Sequence, residues 1–547
     1  MTDDTKIEST TLPTILGEGV DQQGRRFAVF GVGGERIAVA YEDISDNGRI
    51  WSILLQKGAR IFQSASKRAL LKNLEETHHS ATMFDVASSV GWQFGVFVLP
   101  NRIIGAPKRE LVLALDHLPQ DMLSKYRAVG SLNGWQGQIL PPCNGNSRLI
   151  FAVCWGISSA VASLIPEAIK TGATQIYGDQ ETGKTTGGMV AGSHWGCHYG
   201  GREEKGFCED WNTTVEKVED TASAHSDVGL ILDETNLNDK VPQIAWRLAE
   251  GSWKQRKNER ATSGFSGFLF STSNHPLWKL AAGSEKKVDD ALLSRFLDIP
   301  VGLFENLNGF DDPELLVNAI KERCRAHFGV AGPAFIERLI ADREADPEAW
   351  FEYVRKRRAY YQKILRRRAK KQGLRFSGRT ADRMATVYTT GRLAEKYGII
   401  FWDKKTILNA VLSCHVDALR QVQPFLSANT KAPTSPRAAV VEYFRREMTS
   451  FIDLDERSDD LTDDDFEAAK GFSQRLSGKK WFYLTFRRFK RVVGSLAGAK
   501  TLLAELSNEG LCGHNIGNST AQRRIGGKMR RVVAIRRKII KADAPRE

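Results

Sequence analysis

The sequence predicts an α/β protein built on a mostly parallel sheet, with a β-rich segment before it, a helical segment after it and a small basic unit at the end. Three observations predict this. From about Ser147 to Asp298, short apolar runs ending in polar tips alternate with helical periodicity, the pattern of strands joined by crossover helices. Residues 310–425 are rich in helix formers and charge. The basic charge is localised: residues 470–547 carry 19 Lys and Arg against four acids, a balance of +15, so the rest sums to −2 of the total +13.

A chain of 547 residues is expected to form two to four domains. The boundaries read as a β-rich module over 1–145, a parallel-sheet core over 146–309 and a helical domain over 310–425. A linker and acidic stretch over 426–467 and a basic domain over 468–547 complete the chain. With 41% hydrophobic and 26% charged residues, the composition is that of a globular protein and excludes fibrous or disordered classes. No apolar run approaches a membrane span, and the start, MTDDTKIESTT, is unlike a secretory or mitochondrial leader. Seven cysteines scattered without CxxC pairs suit reduced thiols. A cytoplasmic protein without a membrane partner is the expectation.

In chain order, RRFAVFGVGGERIAVAYEDI reads as a hairpin about Gly33–Gly34, and WQFGVFVLP and ELVLAL as further short strands. RLIFAVCWGISSAVASLIP reads as helix, and ATQIYG, GLILDE and FLFSTSN as the parallel strands. PFLSANTKAPTSP (424–436) has the Pro, Ser and Thr content of a linker. The tail combines WFYLTFRRFKR, a helix TLLAELSNEG and two basic strands about Gly526–Gly527, which together look like a winged-helix unit.

Gly178, Asp179, Gln180, Glu181, Thr182, Gly183, Lys184 and Thr185 match the phosphate-loop pattern without a mismatch, and Thr186 follows. Backbone N–H groups must converge on an anionic phosphate chain, so side chains are excluded at the closest approach. Gly178 and Gly183 give that room. Lys184 is placed to meet the β- and γ-phosphates of ATP, and the Thr185 hydroxyl to ligate Mg2+. The helix opening at Lys184 adds its positive dipole end. Downstream, the strand Val228–Leu232 ends in Asp233 and Glu234. Asp233 is the second magnesium residue and Glu234 the general base for an attacking water. Asn274, at the tip of the next strand, is a candidate for the γ-phosphate or that water. Arg295, in Leu-Leu-Ser-Arg-Phe, is a candidate to neutralise charge in a neighbouring subunit's site.

In this order, the four motifs resemble those of AAA+ ATPases, and the last two look most like those of minichromosome-maintenance replicative helicases. Residues from about Ser80 to Arg445 also resemble a bacterial domain of unknown function found in prophage, plasmid and staphylococcal-cassette replication helicases. Gly130–Trp135, Thr213–Thr214, Asp233–Glu234, Gly251–Arg256 and Arg379–Arg383 carry that match. The resemblance implies a P-loop AAA+ core with a helical lid, in which Arg379 or Arg383 is the sensor arginine. It implies that Lys254, Arg256 and Lys257 project from a hairpin toward single-stranded DNA in the pore of a homo-oligomeric ring, a hexamer. Glu181 and Thr182 stand where such loops carry small residues, and Gly187–Gly188 weaken the following helix.

In the tail, Arg487, Arg488, Arg530 and Arg531 are the candidates for duplex DNA. The expected function is an ATP-dependent DNA helicase or translocase of a mobile element. The alternative is an ATPase switch, initiator or loader that docks on DNA or remodels protein without unwinding. Two further clusters carry less. His194, Cys197, His198 and Cys208 have a spacing that fits no compact zinc module, so they read as core or surface residues. Arg355–Arg358, Arg366–Arg368 and Lys370–Lys371, with Tyr353, Tyr360 and Tyr361, read equally as a phosphate-holding or a solvated helix face.

Overall fold

The computed structural model describes residues 12–542, apart from 46–47, 77–81, 116–117, 119–120, 198–205, 212–213, 236–240, 252–264, 283–289, 303, 429–435, 457–460, 494–495 and 514–519. Two compact units are present, Met1–Pro424 and Phe425–Glu547.

The first unit begins with β1 (Thr14–Val20), β2 (Arg26–Val32) and β3 (Glu35–Ala40), then β4 (Thr82–Ala87). Three short strands follow, β5 (Gly91–Gln93), β6 (Val96–Leu99) and β7 (Arg102–Ile104), and then β8 (Leu111–Leu113). As the sequence predicts, β2 and β3 pair antiparallel about a two-residue turn, with Gly33 and Gly34 both at positive φ (58° and 91°). That conformation is open to glycine at no steric cost and matches strand twist. The sheet order is β3-β2-β1-β4-β8, and β1–β4 and β4–β8 are parallel. Helices Arg49–Gln56 and Ser64–Glu76 supply Ile50, Leu54 and Leu70 to a core against β2 and β3. Among the described residues, the N-terminal region thus combines eight strands with helices packed on them.

The central sheet holds β9 (Thr171–Tyr177), β10 (Glu209–Asp210), β11 (Leu230–Asp233), β12 (Gly267–Ser273) and β13 (Phe296–Pro300). Its order is β10-β11-β12-β9-β13, and every pair is parallel. Strands buried on both faces read as continuous apolar runs, which is why ATQIY, LILD and FLF were legible as strands. One face packs on Leu230, Leu232, Leu269 and Phe296 with Trp211 and Ile244. The other packs Ile176, Ile231 and Phe270 into a large core shared with helices Leu132–Cys143, Ser147–Gly156, Gly378–Lys396 and Lys404–Ala428. The boundaries expected at 145 and 309 run through this core. Trp135 and Ile139 on one side and Leu316 and Ile320 on the other are members of it.

No single helix among the described residues is long and apolar enough to cross a membrane. The apolar pair Ser147–Gly156 and Ser158–Leu164 bends by 49° and is core. All seven cysteines are free thiols.

The second unit is a sheet ordered β14-β15-β16-β18-β17, from β14 (Ile452–Asp453), β15 (Phe472–Leu476), β16 (Lys479–Leu484), β17 (Ala521–Ile525) and β18 (Lys528–Arg536). On one face Val440, Phe444, Phe489 and Leu502 cover Phe482, Val533 and Ile535. On the other, Leu454 and Phe466 cover Phe472, Tyr483 and Val532. The stretch expected as linker and acidic spacer contributes structure here. Helix Pro436–Glu447 buries Val440, Val441 and Phe444, and β14 extends the sheet. Within the expected 424–436 linker, residues up to Ala428 are still helical.

Candidate nucleotide site

The strand β9 ends at Tyr177, whose carbonyl accepts from Val301 N–H at 2.7 Å, and Gly178 N–H donates to Ser273 O at 3.2 Å. These bonds fix the start of a loop that turns into the helix Lys184–Gly192. Gly183 is its N-cap residue at φ 80°, and a Cβ there would stand 2.7 Å from the Phe304 ring edge. A Cβ on Gly178 would overlap Val301. Both glycines are therefore required by sterics. Glu181 also sits at positive φ (62°), a conformation that costs a non-glycine residue roughly 1–2 kcal/mol.

Inside the loop, Thr182 Oγ1 donates to Asp179 O at 2.7 Å, and the Lys184 ammonium donates to the same carbonyl. Partial burial pulls Lys184 below the ordinary lysine range, while Asp179, Asp233 and Glu234 pull it back up as carboxylates. Thr185 Oγ1 stands 3.3 and 3.2 Å from the two Asp233 carboxylate oxygens. Asp233 is 4% exposed and is held from the other side by the Thr272 hydroxyl, which donates to it and accepts from Glu234 N–H at 3.1 Å. Glu234 takes positive φ (60°) and is exposed.

A cavity of about 840 Å³ opens here, lined by Gln180 to Thr186, Glu234, Thr272 and Asn274 on the sheet side. Phe304 and the first turns of helix Pro313–Ala326, which stand beside Gly183, complete the lining. The parallel topology explains the convergence. β12 lies between β9 and β11, so its carboxyl end places Thr272 and Asn274 between the loop and the two acids. The donors suit a triphosphate with a hard cation: a loop cleared of side chains at both glycines, an ammonium, and a hydroxyl facing a buried carboxylate. Phe304 and Thr272 were not anticipated. Thr272 was findable, since it shares the strand face of Asn274 two residues on.

Other expected residues lie elsewhere. Arg295 ends the helix Asp290–Arg295 at the start of β13, with its guanidinium over the Trp246 ring, 4.6 Å from the centroid. Arg383 is 4% exposed, packs on Gly172 at the start of β9 and donates to Ser294 O at 3.3 Å. Burial, with the like charges of Arg379 and Arg295, lowers its pKa to about 10 against the pull of Asp382. From Gly172 to Gly178 is roughly 20 Å at 3.3 Å per residue. Arg295 and Arg383 thus sit at the far end of β9 from this chain's own loop, and Arg383 braces the sheet. Arg379, four residues before it, is exposed. Lys254, Arg256 and Lys257 lie outside the described residues.

The four tail arginines divide in two. Arg487 and Arg531 are exposed. Arg488 donates to Ala468 O at 3.4 Å, and Arg530 pairs with Asp463 and stacks on Phe466 at 4.6 Å. Both tied residues meet the acidic helix Asp463–Ala468, which Thr462 and Asp465 close with a capping box. Of the four cysteine and histidine candidates, His194, Cys197 and Cys208 are buried, and His198 lies outside the described residues. His194 Nε2 bonds Val153 O at 2.9 Å, a structural contact.

The family described as "Domain of unknown function (DUF927)" matches residues 35–263, a span that includes the phosphate loop and Asp233 but not Asn274, Arg295 or Arg383. Among solved structures, the chain is similar to "SCCmec type IV Cch - active helicase" with a TM-score of 0.56 at 16% identity, covering 97% of this chain and 95% of that one. The two share a fold along nearly their whole lengths. No curated protein matches the sequence.

Proposed function

We propose that the chain is an ATP-dependent DNA helicase or translocase of a mobile genetic element, working as a homo-oligomeric AAA+ ring, most simply a hexamer. The observation that carries this reading is the Thr185 hydroxyl, which lines the cavity next to Lys184, 3.2 Å from the buried Asp233 carboxylate. The loop amides, Lys184 and the helix N-terminus hold the phosphates, and Thr185 and Asp233 hold magnesium. Magnesium supplies neutralisation of phosphate charge when bound. Glu234 lines the cavity as general base, and Asn274 positions the water it activates.

The all-parallel order, with β12 between β9 and β11, supports the AAA+ assignment. Arg295, at the far end of β9 from its own loop, suits a finger that completes the neighbour's site, with exposed Arg379 as the sensor arginine able to join it. In the second unit, the helix Leu496–Asn508 followed by the β17–β18 hairpin supports a winged-helix reading. Arg487 and Arg531 are its exposed duplex-facing cations, and Lys254, Arg256 and Lys257 are proposed for single-stranded DNA. The likeness to a structure named as an active helicase supports the same reading.

The test is the ATP turnover rate with and without single-stranded DNA, alongside strand displacement, with Lys184→Ala as the blank. Stimulated turnover with displacement is expected. Turnover that responds to neither single-stranded nor duplex DNA contradicts the motor and favours a nucleotide switch.

A further inference from the structure

The 26-residue helix Pro347–Gln372 presents two unlike stripes. Trp350, Val354, Tyr361, Leu365 and Ala369 are buried in the core of the first unit. Lys363, Arg366, Arg367, Lys370 and Lys371 recur at i, i+3, i+4, i+7 and i+8, so they share one face, and all five are exposed. None of the five side chains has an ion-pair or hydrogen-bond partner among the described residues.

The helix treats its cations differently at its two ends. Near its start, Glu352 takes Arg355 at 2.6 Å and Lys356 at 3.2 Å. From Glu352 to Gly373 there is no other acid. Lys363 and Arg367, Arg366 and Lys370, and Arg367 and Lys371 are like-charge pairs one turn apart, an arrangement that destabilises a helix. The helix dipole favours cations only in the last turn, which covers Lys370 and Lys371 but not the other three. A solvated face needs no such concentration; a surface that meets anions does.

The stripe is about 12 Å long at 1.5 Å per residue, a length over which one strand of a duplex presents three or four phosphates. Exposed Tyr360, one turn earlier, offers a ring on which a base can stack. We infer that Lys363–Lys371 is a docking surface for the phosphodiester backbone of nucleic acid, additional to the candidate DNA residues described above. This rests on the nucleic-acid half of the proposed function and not on ATP hydrolysis.

The test measures binding of labelled single-stranded and duplex oligonucleotides to the full chain, without nucleotide, across a salt series. Lys363→Gln/Arg367→Gln is compared with Arg355→Gln/Lys356→Gln, which removes the same charge from the acid-paired end. On the form that docks, the first variant is expected to lower the slope of log affinity against log salt by about 1.4 (single strand) or about 1.8 (duplex). The second is expected to leave the slope unchanged. Equal losses in both variants, or no loss in the first, overturn the docking surface while leaving DNA binding intact. A wild-type chain that binds neither oligonucleotide overturns the nucleic-acid reading as well. Arg366→Gln/Lys370→Gln repeats the comparison should the first pair disturb folding, which far-ultraviolet circular dichroism reports.

Discussion

Arg383 donates to the carbonyl of Ser294 at 3.3 Å, which ties the helix Gly378–Lys396 to the residue just before Arg295. The bond sets where Arg295 emerges from the start of β13, at the end of the sheet remote from the phosphate loop.

If Arg295 acts across a subunit boundary, Arg295→Ala keeps ATP binding and loses turnover by about 10³-fold, the lower range for such fingers. Mixing Arg295→Ala with Lys184→Ala subunits then restores part of the turnover, because some interfaces pair an intact loop with an intact arginine. A mixture no more active than either variant alone rules out action in trans. Arg383→Ala is expected to lower the melting temperature as well as turnover, since it removes a buried brace.

The two loop-side glycines separate conformation from propensity. Gly183→Ala forces a side chain into φ 80° against Phe304 and is expected to weaken ATP binding tenfold or more, from a conformational cost of roughly 1–2 kcal/mol plus the clash. At Gly187, a Cβ would meet Ile176 and Phe270 at 3.4 and 3.7 Å, ordinary contacts. Gly187→Ala should therefore raise the melting temperature and leave affinity unchanged, as alanine is favoured over glycine in a helix by about 1 kcal/mol.

Much of this was legible in the residues, for reasons that differ by element. The β2–β3 hairpin and the phosphate loop are local: adjacent glycines and a fixed spacing specify them. The central strands declared themselves because burial on both faces leaves continuous apolar runs. What escaped depends on pairing between distant segments. Nothing near Thr14 announces that β1 lies parallel to β4 more than sixty residues on. Nothing near Arg383 announces that it packs on Gly172. Nothing near Arg530 announces its ion pair with Asp463, 67 residues upstream in a stretch whose acidity resembles a spacer.

That pairing has a consequence for binding. Asp463 engages Lys528 at 2.9 Å and also Arg530, and both cations hold its carboxyl below the usual range. Asp463→Ala frees two cations on the hairpin and is expected to tighten duplex binding and steepen its salt dependence. Arg531→Ala should weaken binding more than Arg530→Ala. Fluorescence anisotropy with duplex DNA over a salt series checks both; equal effects of the two arginines would contradict the division.

Acid should unfold the first unit through its histidines. Burial lowers the pKa values of His194, His225 and His415 to about 4, about 4 and about 3, below the ordinary 6.5. The unfolded chain binds these protons first, so their stabilisation is full above about pH 6.5 and is lost as pH falls toward 4. Asp298 opposes them. Burial raises its pKa to about 7, so its protonated form favours the folded state and that contribution fades as pH rises from about 4 to about 7. Burial raises the pKa of Asp227 as well, so two carboxyls oppose three histidines; the histidines outweigh them, and the urea midpoint is expected to fall between about pH 7 and about pH 5. Asp298→Asn should make that fall steeper, and a shallower one would reverse the assignment.

The central claim is that magnesium and ATP meet between Lys184, Thr185 and Asp233. Titration calorimetry of the folded chain with ATP, in the presence and absence of magnesium, measures it directly. The wild-type chain is expected to bind with an affinity that magnesium increases, Thr185→Ala and Asp233→Asn to lose the magnesium-dependent part, and Lys184→Ala to lose most of the binding. No uptake of magnesium-ATP by folded wild-type protein, or uptake unchanged in all three variants, would contradict the account.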